Sequence, residues 1–102
     1  MQHLYNITTL VVHPIAVDWL NWMKAKHIPE IMKSGCFLEY RFLRLQDQVE
    51  TEGLTFSLQL LTANREDYER YLREFAPCLR EDARQLWGEN ALSFRTLMQV
   101  VN

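Results

Sequence analysis

The sequence holds little that interrupts a chain: three glycines and three prolines in 102 residues, with no low-complexity run, internal repeat or linker-like stretch. Cysteine is as scarce, and Cys36 and Cys78 make neither a disulfide framework nor a spaced zinc-ligand set. No apolar stretch approaches the ~18 residues that a membrane-spanning helix requires. Met1-Gln2-His3 brings no charged leader ahead of an apolar core. An excess of one charge is missing too. Eleven basic against 13 acidic side chains leave a formal charge of -2, which gives no global pull toward nucleic acid or anionic lipid. No glycine-rich run precedes a helix to cradle phosphate. The expectation is a cytoplasmic protein with neither membrane nor nucleic acid among its partners. What is present is an ordinary globular composition, 48% apolar and 24% charged. A second core would be too small to fold by itself, so residues 1–102 read as a single domain.

The few breakers fall at telling places. Leu4 to Val12 is rich in β-branched residues and reads as a strand, which Pro14 ends. Ile15, Trp19 and Trp22 then recur at helical spacing, with Ala16, Leu20, Met23 and His27 on adjoining rows. Pro29 is expected to break this helix and start a short second turn that Gly35 closes. Cys36 to Gln46 and Leu54 to Thr62 read as the second and third strands, joined by an acidic loop. Asn64 can cap the next helix, with Asp67 completing an approximate capping box. Pro77 divides that helical region and Gly88 terminates it. Its alternating charges, Arg80 and Arg84 among them, read as a solvated side. Ala91 to Val101 is the fourth strand. The order βαββαβ specifies an α+β, ferredoxin-like plan, with a four-stranded antiparallel sheet in the order fourth, first, third, second and both helical regions on one face.

Alternation sorts each strand into two rows. One row set, including Tyr5, Ile7, Val11, Tyr40, Phe42, Phe56, Leu58, Leu60, Leu92, Phe94 and Met98, is assigned to the helices. The other mixes Leu10, Phe37, Leu43, Leu45, Leu61, Leu97 and Val101 with Asn6, Glu39, Arg41, Gln59 and Arg95. That second face is too apolar for water and too polar for a dry core. A sheet packed on a copy of itself around a partly polar space satisfies both demands, so a homodimer through this face is expected.

Several stretches are familiar as a set: Tyr5-Asn6-Ile7-Thr8, Trp19 to Pro29 with its His27-Ile28-Pro29 turn, Gly35-Cys36-Phe37, Thr55 to Gln59, Tyr68 to Tyr71 and Phe94-Arg95-Thr96. Together they resemble an uncharacterised bacterial family, a domain of unknown function within the dimeric α+β barrel superfamily. The resemblance spans nearly the whole chain and implies the barrel fold and the pairing mode. The superfamily includes cofactor-free monooxygenases, haem-degrading enzymes, isomerases and proteins without known activity, so shared fold is no warrant for one reaction.

His27 is the candidate catalytic residue, as a general base whose pKa is tunable across neutral pH; the competing role is to hydrogen-bond loop backbone. Asn6, Gln59 and Arg95, with Arg41 extending the patch, are the candidate ligand-binding residues, because an arginine with two amides suits a carboxylate or enolate. Alternatively they form a structural network at the dimer interface. Arg95 is expected to lie among apolar residues, out of bulk water. Cys36 reads as a small core residue. His3 and His13, roughly 33 Å apart along one strand, cannot share a metal. The aromatics Trp19, Trp22, Tyr68, Tyr71, Phe75 and Trp87 serve either a pocket or the core. The leading expectation is a homodimeric barrel that binds or transforms a small organic molecule, aromatic or acidic, without an obligatory cofactor. The competing reading is a non-catalytic dimerisation module. An RNA-recognition motif shares the element order but is set aside, since Glu52 and Leu54 replace its base and its stacking aromatic.

Overall fold

The computed structural model describes residues 1–102. Strands β1 (His3–Val12), β2 (Glu39–Arg44), β3 (Gly53–Thr62) and β4 (Ala91–Gln99) form one antiparallel sheet in the order β2-β3-β1-β4. Between β1 and β2 lie α1 (Ala16–Trp22) and α2 (Ile28–Lys33); between β3 and β4 lie α3 (Arg65–Glu74) and α4 (Ala76–Trp87). This is the ferredoxin-like βαββαβ arrangement read from the sequence. The Asn64 side chain accepts from the Asp67 N–H at 2.8 Å and caps α3. Gly88, with φ of 55°, ends α4 in a conformation that a side chain would strain. Pro77 stands in the first turn of α4, where its missing N–H costs nothing.

Both helical layers pack on the face carrying the odd-numbered residues of β1. Trp19 of α1 meets Phe56 of β3 at 5.3 Å between ring centroids, and Tyr71 of α3 meets Tyr5 of β1 at 6.3 Å. Tyr5, Val11, Trp19, Leu58, Leu60 and Tyr71 are all buried. Truncating an aromatic of this layer to alanine would cost ~3–5 kcal/mol, through lost transfer energy and the cavity left behind.

Three expectations need correction. The helix does not break at Pro29. It continues through a wider turn, Met23–His27, into α2, where Pro29 occupies the first turn. Pro29 offers no N–H to the Ala25 carbonyl and would crowd it in a regular helix, and widening the turn relieves that crowding. The second strand is shorter than read. Cys36 and Phe37 are buried but not in the ladder, and Phe37 lies against Tyr5 and Tyr71 in the core rather than on the open face.

The third correction concerns β4, whose two rows are exchanged. Tyr5 stands opposite Leu97, Ile7 opposite Arg95 and Thr9 opposite Ser93, so Ser93, Arg95 and Leu97 share the helix-covered face. Leu92, Phe94 and Met98 take the open face, opposite Leu10, Thr8 and Leu4. The apolar content of the rows could not decide this, because each contains large apolar residues. As an edge strand, β4 is free to present the more apolar row outward. Leu97 consequently packs against the core cluster, while Phe94 is 70% exposed on this chain.

Gly53 has a role that an acidic hairpin loop does not suggest. It pairs with Val12 at the start of β3, and an added Cβ would overlap the Val11 carbonyl group and touch the Val12 Cα at 3.0 Å. Those neighbours are backbone and cannot rotate away. Gly53→Ala should therefore destabilise the chain by roughly 2 kcal/mol or more, with β1 and β3 forced apart. Urea denaturation checks this, and an unchanged midpoint would show that the ladder yields there.

Candidate functional site

A cavity of about 240 Å³ lies between the helices and the sheet. Its floor is Ile7 and Thr9 of β1 with Phe56 and Leu58 of β3, and β4 closes one side with Ala91, Ser93 and Arg95. Arg80, Ala83, Arg84 and Trp87 of α4 line the wall opposite at spacings of three and four, one helical face. Trp19, Trp22, Met23 and His27 complete it.

The wide turn before α2 shapes this wall. On a regular α-helix two residues five apart sit about 140° around the axis from each other. Here the Ile28 N–H bonds to the Met23 carbonyl, five residues back, and this slower winding returns His27 to the side of Trp22. The two rings stack at 4.4 Å between centroids with 22° between planes, and Trp87 meets Trp22 edge-on at 5.7 Å.

Burial pushes the His27 imidazole down to about 4, with Asp82 opposing and Arg95 reinforcing the shift. Near neutral pH the ring is therefore uncharged, with a lone pair able to accept a proton. Its Nδ1 is buried without a hydrogen-bond partner, as are Nε1 of Trp22 and Nε1 of Trp87. The two hydroxyls that line the cavity, of Thr9 and Ser93, bond to each other at 2.8 Å. Burial also pushes the Tyr71 phenol up, with Tyr5 adding to the shift and Arg80 and Arg95 opposing it.

Arginine distribution sets the electrostatics. Arg44, Arg65, Arg70, Arg73 and Arg84 are each ion-paired, which leaves Arg41, Arg80 and Arg95 without a carboxylate. Arg80 donates to the Tyr5 hydroxyl at 2.9 Å. No aspartate or glutamate lines the cavity.

The structure separates the residues read as one ligand-binding constellation. Arg95 belongs to the cavity with His27, as the exchanged rows of β4 require, and it is exposed at the edge rather than enclosed by apolar neighbours. Asn6, Gln59 and Arg41 stand side by side across β1, β3 and β2 on the open face. Asn6 is satisfied locally: its Oδ1 accepts from the Ser57 hydroxyl at 2.5 Å and its Nδ2 donates to the Thr8 Oγ1 at 2.9 Å. Gln59 and Arg41 flank a shallow depression with Leu4 and Glu39. Sequence reasoning passed over Arg80 and Arg84 as part of a solvated helix face. Their spacing to Ala83 and Trp87 was the available signal.

Fold and cavity together define an α+β protein of ferredoxin-like topology, with an aromatic pocket under its helices. The chain belongs to the family described as a domain of unknown function, DUF4286, whose model matches residues 2–101. A search of curated proteins returns no significant match. Among solved structures, SnoaB, a cofactor-independent oxygenase from Streptomyces nogalater, is similar at 14% identity and a TM-score of 0.72, covering 100% of this chain and 96% of that one. A dimeric ferredoxin-like protein from an uncultured marine organism is similar at 13% identity and a TM-score of 0.72, covering 99% and 96%. The de novo designed protein Foldit4 is similar at 12% identity and a TM-score of 0.68, covering 99% and 100%. A fold shared with a designed protein carries no activity by itself, so function has to be argued from the cavity.

The unfolded chain takes a proton at His27 below the ordinary value of 6.5, whereas the folded chain does so only near 4. Between those values the unfolded state binds more protons, so stability is full above the window and falls as pH drops through it. The loss attributable to His27 is roughly 3 kcal/mol at most. His27→Gln should remove that part of the acid sensitivity. Denaturation curves of both proteins across the window check it, and parallel pH profiles would mean that the ring titrates normally.

Proposed function

We propose that this chain binds and transforms a small organic molecule in the cavity between helices and sheet, without an obligatory cofactor, and that His27 is its general base. The observation that carries the reading is one aromatic-lined cavity bordered by Trp22, His27 and Trp87, each of which also holds a buried ring nitrogen without a partner. Leaving such groups unsatisfied costs ~1–3 kcal/mol each, a cost that a ligand accepting from the indoles would relieve. A neutral imidazole facing that ligand can take a proton from a C–H or O–H group. The likeness to a cofactor-independent oxygenase supports the class of chemistry through fold alone.

Residues 1–102 form one barrel unit on this reading, paired with a second copy through the open sheet face. Leu43, Leu92, Phe94 and Met98 are exposed there, and together they make an apolar surface that single chains rarely leave open. Asn6, Gln59 and Arg41 then line the polar part of the space between two sheets. Their local saturation around Asn6 favours the second reading, a dimerisation module, for that face.

Fragment screening by NMR tests the site. Binders should shift the indole N–H resonances of Trp22 and Trp87 and lose affinity in Ala83→Phe, which fills the cavity. For any fragment that is consumed, His27→Gln should lower turnover by about 10² or more. Binders confined to the open face would replace the enzyme reading with the module.

Pairing is tested separately by two β4 substitutions. Phe94→Asp should give a folded monomer, since the ring is exposed on a single chain. Leu97→Asp should unfold the protein, because it sets a carboxylate against the core. Sedimentation equilibrium and circular dichroism read the two outcomes, and a wild-type monomer at micromolar concentration would exclude the homodimer.

A further inference from the structure

The geometry points to a carboxylate as the recognised group of the ligand, held at the cavity edge by Arg95 together with Arg80, with a flat apolar body lying against Trp22 and Trp87. This rests on the cavity being a binding site, as proposed above, and adds what that site selects. The polar inventory is one-sided. Arg80, Arg95 and the indoles of Trp22 and Trp87 are donors only, and no carboxylate lines the space. The side-chain acceptors are the His27 imidazole and the lone pairs left on the mutually bonded Thr9 and Ser93 hydroxyls. A complementary ligand therefore brings acceptors, and two exposed guanidiniums without a carboxylate partner are free to take an anion.

The third guanidinium is already used. Arg84 bonds to both Glu81 carboxylate oxygens, at 2.8 and 2.5 Å, and contributes wall rather than charge. Arg80 is held only by the neutral Tyr5 hydroxyl, so a carboxylate can share it without breaking an ion pair. A carboxylate fits better than a phosphate monoester. Desolvation cost grows with the square of charge, so even partial withdrawal of a dianion from water at this edge costs more than that of a monoanion. The planar guanidinium fork also matches the two oxygens of a carboxylate.

Calorimetric titration of 2-naphthoate, its uncharged isostere 2-naphthamide and 2-naphthyl phosphate tests the assignment, with the indole resonances of Trp22 and Trp87 reporting where each probe binds. The expected result is that 2-naphthoate shifts both resonances and binds about tenfold or more tighter than the amide. In Arg95→Met the naphthoate affinity should fall toward that of the amide, whose own affinity should not change. Arg95 lies at an exposed edge, so this variant should fold, and Arg80→Met supplies an independent second case. Equal binding of acid and amide, with both indoles shifted, would overturn the carboxylate while leaving the cavity a binding site. Tighter binding of the phosphate would also overturn it. Failure of all three probes to shift the indoles would remove the cavity reading itself.

Discussion

Three ring nitrogens without partners, on Trp22, His27 and Trp87 around one cavity, set the terms for the rest of this molecule. Burying a donor or a ring nitrogen unsatisfied costs a sizeable fraction of the ~5–15 kcal/mol that separates folded from unfolded chains. The fold carries that cost because the surrounding layer is strongly packed, with Tyr5, Trp19, Phe56, Leu58, Leu60 and Tyr71 closing it on the sheet. The deficit is also concentrated. Trp22 and His27 are stacked on one side of the cavity and Trp87 stands edge-on to Trp22, so all three belong to one aromatic cluster beside the cavity.

That concentration depends on a backbone irregularity. Without the wide turn from Met23 to His27, the histidine would point away from Trp22 by more than a third of a revolution. Pro29 is what makes the irregularity favourable. The Trp-to-proline stretch therefore works as one device: the tryptophan supplies the surface, the proline widens the turn, and the histidine is delivered against the ring. Wider helical turns of this kind recur at functional sites because they re-aim single side chains without ending the helix.

The fold was legible in the sequence because its signals are local. Asn64 and Asp67 cap a helix by themselves, Gly35 and Gly88 end helices by their own backbone freedom, and period-two runs mark strands wherever they occur. The site was half legible. His27 and Arg95 were identified singly, but alternation sorts a strand into rows without saying which row faces the helices. In β1 and β3 the burial contrast decides it. In β4 it does not, since Leu97 weighs one row and Phe94 the other. Taking the more apolar row as the covered one sent Arg95 to the wrong face and joined it to Asn6 and Gln59. The same error hid the pairing of Arg95 with His27. The wide turn was invisible for a different reason: a proline two residues after His27 normally signals a helix end, whereas here the widened turn accommodates it and Ile28 and Ile31 are buried in the core beyond.

Placing Arg95 beside His27 couples the two groups electrostatically. The guanidinium reinforces the effect of burial, holding the imidazole neutral but also making it a weak base. An anion seated on Arg95 would cancel the nearby positive charge and leave the desolvation and the Asp82 carboxylate as the remaining influences on the ring. A body filling the cavity would at the same time add to desolvation, the larger influence, which acts the other way. The low polarity of the cavity strengthens each part of this exchange, because Coulomb interactions that water would screen act there with a smaller effective dielectric. Charge recognition and proton transfer are thus not independent properties of the cavity. On the proposed reading, an anion on Arg95 and the burial that comes with its apolar body act on His27 in opposite directions, so the charge of a ligand bears directly on the strength of the base.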